Sequence, residues 1–308
     1  MKSEWKWIET VKGLCKGNSL SRPYMKGLIK QSIGDDAAVL RWTSEKDLLV
    51  TSDMILERKH FLLKAATPQQ IGHKAMAVNL SDIAAMGGIP KNAVVSLGVP
   101  AKIEISFLKK MYAGMIGVAK RFGVTIVGGD TNASEGLIIS VTLLGEVERG
   151  RAVLRSGAKA HDWLFVSGEL GGSYRSQKHL NFTPRVKEAR ELVQNFHVHS
   201  MMDLSDGLGS DVRRIMEESH VGAILEEKLI PKSKYAGTIE NALSDGEDFE
   251  LLFSLSPEEG KKIISSKKYS SRFTKIGEIV APGKGLSILG LDGRLKTLKI
   301  KGFDHFKK

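Results

Sequence analysis

The sequence predicts an α/β chain of two domains, on three observations. Short runs rich in Val, Ile and Leu alternate with longer segments that hold few internal breakers. A length of 308 residues gives room for more than one core. The composition also turns polar and Gly-containing in RGRAVLRSGAKAHD, just after Glu148, and then the alternation restarts. The expected domains are therefore 1–148 and 149–308.

In the first half, AAVLRW and DLLVTSD read as two strands joined by the polar link Thr43–Lys46. A helix is expected from Pro68 to Met86, with proline near its start and a Gly87-Gly88 stop followed by Pro90. AVVSLGV is a strand, 104–122 a helix, and VTIV a short strand ending in Gly128-Gly129-Asp130. The long strand LIISVTLLGEV closes the half. In the second half WLFVSGEL is a strand, Pro184–Asn195 a helix, SMMDLSDG a strand ending in an acidic loop, and Ser210–Ser219 a helix. DFELLFSLS follows Gly246 as a further strand.

Composition excludes several classes. One cysteine, Cys15, rules out an internal disulfide or a thiolate metal cluster. No apolar run is long enough to cross a bilayer, and MKSEWKWIET lacks the apolar core of a secretory signal, so a cytoplasmic protein without a membrane partner is expected. The net charge of +11 is spread over both halves: 20 Lys and Arg against 14 Asp and Glu in 1–150, and 26 against 21 in 151–308. No basic stripe with interleaved aromatics accompanies it, so no nucleic-acid partner is expected.

The chemistry lies in acidic turns. Asp35, Asp53, Asp82 and Asp130 each sit beside Gly, Ser or Thr at the edge of an apolar segment, and Asp36 follows Asp35 directly. A partly desolvated carboxylate is costly unless hydrogen bonds, a basic partner or a cation offsets it. Several of them converging call for a hard cation, and oxygen-only donors favour magnesium over zinc. The stretches are IGDDAAVL, TSDMILERKHF, VNLSDIAAMGG, VGGDT and MMDLSDGLGSD. Turn or capping chemistry accounts for any one of them alone. Asn79 and Asp82, three residues apart, share one helix face. Glycines at 128 and 129 allow a close approach of backbone to phosphate. Neither a GxxxxGK[ST] loop nor a GxGxxG fingerprint occurs, so a triphosphate would be held by aspartates and magnesium instead.

Taken in this order, and with LRSGAKAHD, SDGEDFELLFS and GFDHF, the stretches resemble the thiamine-monophosphate kinase family, a branch of the superfamily that includes aminoimidazole ribonucleotide synthetase. The resemblance implies a two-domain fold of that type. Its first domain would carry a mixed sheet that pairs with a second copy in a homodimer barrel. It implies magnesium-dependent phosphorylation of thiamine monophosphate by ATP, with direct in-line transfer and no nucleophilic side chain. Asp35, Asp36, Asp53, Asp82, Asp130, Asp203 and Asp206 look like metal ligands, with Thr51, Ser52 and Ser205 as oxygen donors. Gly129, Asp130, Arg155 and Ser205 look like ATP contacts. His60, Glu247, Asp248, Phe303 and Phe306 look like contacts to thiamine monophosphate. The chain departs from the family at Arg58-Lys59, where Gly-Val is usual before the histidine, and after VSGELGGS, where a shorter segment implies a trimmed helix. Alternatives are another small acceptor within the superfamily, or a basic non-catalytic nucleic-acid binder.

Overall fold

The structure is a computed structural model that describes residues 4–19 and 27–299. Phe303 and Phe306 lie outside them. The elements in order are α1 (Glu4–Ser19), β1 (Ile29–Gln31), β2 (Ala38–Arg41), β3 (Lys46–Leu56), α2 (Pro68–Ala85), β4 (Ile89–Val99), α3 (Ile105–Arg121), β5 (Thr125–Ala133) and β6 (Ile138–Glu148). There follow β7 (Trp163–Ser167), the single-turn helices α4 (Ser173–Ser176) and α5 (Lys178–Asn181), α6 (Val186–Asn195), β8 (Val198–Asp203), α7 (Leu208–Ser219) and β9 (Gly222–Glu226). The rest are α8 (Ile239–Ser244), β10 (Leu251–Leu255), α9 (Pro257–Ser265), α10 (Lys267–Ser270), β11 (Phe273–Val280), β12 (Leu286–Leu289) and β13 (Leu295–Thr297).

Two mixed sheets result. One runs β1-β2-β3-β6-β4-β5, and the other β13-β12-β9-β11-β7-β10-β8. Pairing is antiparallel except for β4 with β5 and β9 with β12. Helix α2 joins the sheets. It starts at a capping box, Thr67 with Gln70, and takes Pro68 at its first position, where no amide hydrogen is missed. It is buried nearly all round because it packs on α3, on β3 and β6, and on α6 and β8. One apolar cluster therefore runs from Leu49, Ile71 and Met115 to Phe165, Leu192 and Phe253. The other face of the second sheet is covered by α7 and α8 around Leu204, Val212 and Leu243.

Two glycines set the distance between α2 and α3. A Cβ on Gly72 would stand 1.8 Å from the Met111 carbonyl oxygen, and one on Gly114 would stand 2.0 Å from that of Gln69. The helices therefore touch backbone to backbone.

Three expected strand boundaries are corrected. Gly128-Gly129-Asp130 does not end the strand, since β5 runs through it to Ala133, with Gly129 paired to Val95 and Asp130 to Ser96. Gly129 serves the pairing itself, because a Cβ there would lie 1.9 Å from the Val95 carbonyl oxygen. The strand expected from WLFVSGEL stops at Ser167, since Gly168, Gly171 and Gly172 all take positive φ. DFELLFSLS becomes regular only at Leu251, because Glu247 and Phe249 take φ of 53° and 50°.

Candidate active site

A cleft of about 450 Å3 opens between the sheets, lined by α1, β3, α2 and the loops after β6, β8 and α8. On β3, Thr51 and Asp53 lie two residues apart and so on one face, toward α2. The Thr51 hydroxyl donates to Asp82 of α2, and the Asp53 amide donates to the Asn79 side-chain oxygen at 3.1 Å. Asn79 is itself fixed by donating to the Ala75 carbonyl at 3.1 Å. The pair three apart on α2 thus holds β3 and reaches the cleft at once. Ser52 also lines the cleft, while its hydroxyl bonds Thr142 of β6 at 3.0 Å on the exposed sheet face.

The centre is a carboxylate trio. One oxygen each of Asp36, Asp82 and Asp203 lie within 4.8 Å of one another, brought together from the loop before β2, from α2 and from the end of β8. Ser81 donates to Asp203 at 2.6 Å, and Arg155 forms an ion pair with Asp36. The Arg155 amide reaches both oxygens of Asp35 at 3.3 Å. Burial, then the charge of Asp36, pushes the Asp35 carboxyl up to about 7. Burial and then Asp36 do the same to Asp203, also to about 7. Asp82 is pushed well above the usual carboxylate range, by burial first and then by Asp53, Asp203 and Asp36. Asp36 keeps one buried oxygen with no hydrogen-bond partner.

Ser205 and Asp206, in the loop after β8, line the same cleft. Asp206 is paired to Arg214 of α7. Farther along, His60 and Glu247 line the wall and are tied together by a residue that the motifs do not mark. Lys74, only 1% exposed, sends its ammonium to the two Glu247 oxygens at 2.7 and 2.8 Å and to the His60 carbonyl at 2.9 Å. Burial pulls the Lys74 pKa down, and Glu247 opposes it. The Tyr174 hydroxyl also bonds Glu247, and burial followed by that carboxylate pushes it up to about 12.

Three expected residues stand elsewhere. Gly129 and Asp130 do not line the cleft: they are exposed on the edge strand β5, where Asn132 donates to Asp130 at 2.7 Å. Asp248 does not line it either. Its carboxylate is buried, accepting from the Gly171 amide at 2.9 and 3.0 Å and from the Ser173 hydroxyl at 2.7 Å. Glu250, from the same acidic segment, is held by Arg185 at 2.6 and 2.7 Å, Lys178 at 2.8 Å and Ser167 at 2.6 Å. Among the cleft residues that the motifs miss, Lys74 had one signal, a lysine inside the apolar helix stretch HKAMAVNL, whereas Tyr174 and Arg214 had none.

Acidic residues from both sheets around a cleft of substrate size define an enzyme that handles anions through bound cations. Two family models match in agreement, the AIR synthase related protein N-terminal domain over residues 34–147 and its C-terminal domain over residues 160–289. The thiamine-monophosphate kinase of Rhodopirellula baltica is 40% identical over 92% of this chain and 95% of its own. That of Bacillus subtilis is 38% identical over 89% and 93%. A solved structure, AaThiL complexed with AMPPCP and TMP, superposes with a TM-score of 0.84 at 31% identity over 99% of this chain and 97% of that one. The chain belongs to the thiamine-monophosphate kinase family.

Proposed function

We propose that this chain transfers the γ-phosphoryl group of ATP to thiamine monophosphate, giving thiamine diphosphate and ADP. The observation that carries the reading is the convergence of Asp36, Asp82 and Asp203, from two sheets and the helix between them, beside Arg155.

Magnesium fits this cleft. The donors are oxygens only, Asp36 has a buried oxygen without a partner, and the raised carboxyls of Asp35, Asp82 and Asp203 mark like charges that a dication would relieve. We assign Asp35, Asp36, Thr51, Ser52, Asp53, Asp82, Asp203 and Asp206 to the metal sites. Bound magnesium supplies charge neutralisation on the phosphate oxygens. The chain's own residues do the rest by position. Arg155 and Ser205 face the nucleotide phosphates. His60 and Glu247, tied by Lys74, hold the acceptor so that its phosphate lies in line with the γ-phosphoryl group. No side chain is needed as a covalent carrier.

A homodimer is part of the proposal. Strand β5 is an exposed nine-residue edge, with Val127 59% exposed, and Met54 and Val94 stand open on the same sheet. Such an edge is a ready template for pairing, and a second copy would cover it. Because Asp130 and Gly129 sit there, their role toward ATP is tied to that dimer. We also propose a division into 1–148 and 149–308. No helix among the described residues is long and apolar enough to cross a membrane, and a cytoplasmic location goes with the proposed substrates.

The test is ADP release from the purified chain with magnesium, with and without thiamine monophosphate. Turnover that needs both is expected. ATP hydrolysis indifferent to the acceptor, or a phosphorylated chain trapped from labelled ATP, would overturn the reading.

A further inference from the structure

Lys59, Lys74, Arg155 and Arg214 are the lysines and arginines that line the cleft. Three are neutralised by carboxylates: Lys74 by Glu247, Arg155 by Asp36, and Arg214 by Asp206 and Asp211. Among the described residues Lys59 alone of the four has no ion-pair partner. It sits in a tight turn after β3, where the Arg58 amide bonds the Phe61 carbonyl at 2.8 Å and the Lys59 and His60 amides bond that of Leu56 at 3.2 and 3.0 Å. This fixes the backbone and leaves a long exposed side chain able to swing into the cleft. The neighbouring His60 and, through Lys74, Glu247 make this the acceptor end of the cavity.

We propose that Lys59 is a phosphate contact on the acceptor side and a specificity-determining residue of this chain. The proposal rests on the kinase reading above. An unpaired ammonium beside a cleft rich in carboxylates attracts a dianionic monophosphate and repels a cation, so it favours acceptors that carry a terminal phosphate. Arg58, by contrast, has its side chain 80% exposed, takes φ 67° and does not line the cleft.

The experiment compares wild type, Lys59→Met, Lys59→Arg and Arg58→Met in steady-state kinetics. Binding of thiamine monophosphate in the presence of AMPPCP is measured alongside, and thermal melts establish folding. Lys59→Met is expected to raise KM and Kd for thiamine monophosphate roughly ten-fold, with the KM for ATP moved less than two-fold. Lys59→Arg should recover most of the loss, and Arg58→Met should behave as wild type. Unchanged acceptor affinity in Lys59→Met, or a loss confined to ATP, would overturn the assignment. A wild type that turns over no thiamine monophosphate would instead sink the kinase reading itself.

Discussion

The ammonium of Lys74 and the carboxylate of Glu247, 173 residues apart in the chain, meet at 2.7 and 2.8 Å on the wall of the cleft. The lysine is buried and the glutamate half-buried, and the carboxylate offsets the burial that pulls the Lys74 pKa down.

Replacing Lys74 by Met should destabilise the fold by about 3 kcal/mol, the low end for breaking a buried pair, because Glu247 retains some water. It should also raise the KM for thiamine monophosphate more than that for ATP. Urea melts and kinetics check both, and an unaltered acceptor KM would detach Glu247 from the acceptor.

The second prediction concerns pH. Asp35 and Asp203 titrate near 7 in the fold against 3.8 for the ordinary group. The folded chain therefore holds more protons than the unfolded one between those values, and by linkage its metal-free stability falls as pH rises from about 4 to about 7. Magnesium competes with those protons, so the stabilisation it gives should grow over the same window. Thermal melts in chelator and in magnesium, from pH 5 to 8, measure it; a magnesium effect independent of pH would contradict the assignment.

Asp82→Asn should separate function from stability. It removes a carboxylate crowded by Asp53, Asp203 and Asp36, so the metal-free protein should melt a few degrees higher. Turnover should drop by roughly a hundred-fold or more, as for the loss of a metal ligand. A variant that stays active would remove Asp82 from the metal sites.

Glu250→Gln should do the reverse. Its carboxylate binds Arg185, Lys178 and Ser167 away from the cleft, so stability should fall by about 3–5 kcal/mol while both KM values stay close to wild type. A selective rise in either KM would return Glu250 to the substrate wall.

Val127→Asp, on the open strand β5, should convert a dimer to a monomer in sedimentation and cost activity with it. A wild type that sediments as a monomer would end the proposed pairing.

How much of this was legible in the sequence follows from where each signal resides. Asp35, Asp53, Asp82 and Asp206 stood out because a carboxylate beside Gly, Ser or Thr at the end of an apolar run is a local pattern, Asp36 and Asp203 because they lie within three residues of such a carboxylate, and all six line the cleft. The alternation of strands and helices was local too, so the elements expected between β2 and β10 are all present, whereas α1, β1, α4, α5, β9, α8 and those after β10 carried no expectation. Lys74 had only the oddity of a lysine in an apolar helix, since its partner arrives from the far half of the chain. Glu247, Asp248 and Glu250 look like one acidic segment on paper. The positive φ of Glu247 and Phe249 breaks the alternation there, sending the first carboxylate to the cleft and the other two into a buried network. Asp130 lies away from this cleft within one chain, because strand pairing to β4 carries it to the rim of the sheet.

The backbone contact at Gly72 and Gly114 has a consequence for how such a chain can change. Asn79 and Asp82 ride on a helix clasped to its neighbour with no slack, so even one methyl group at either glycine would have to lever the rod that carries them. New specificity is thus channelled to the turn that bears Lys59 and the segment that bears Tyr174, whose side chains can be exchanged without disturbing that clasp.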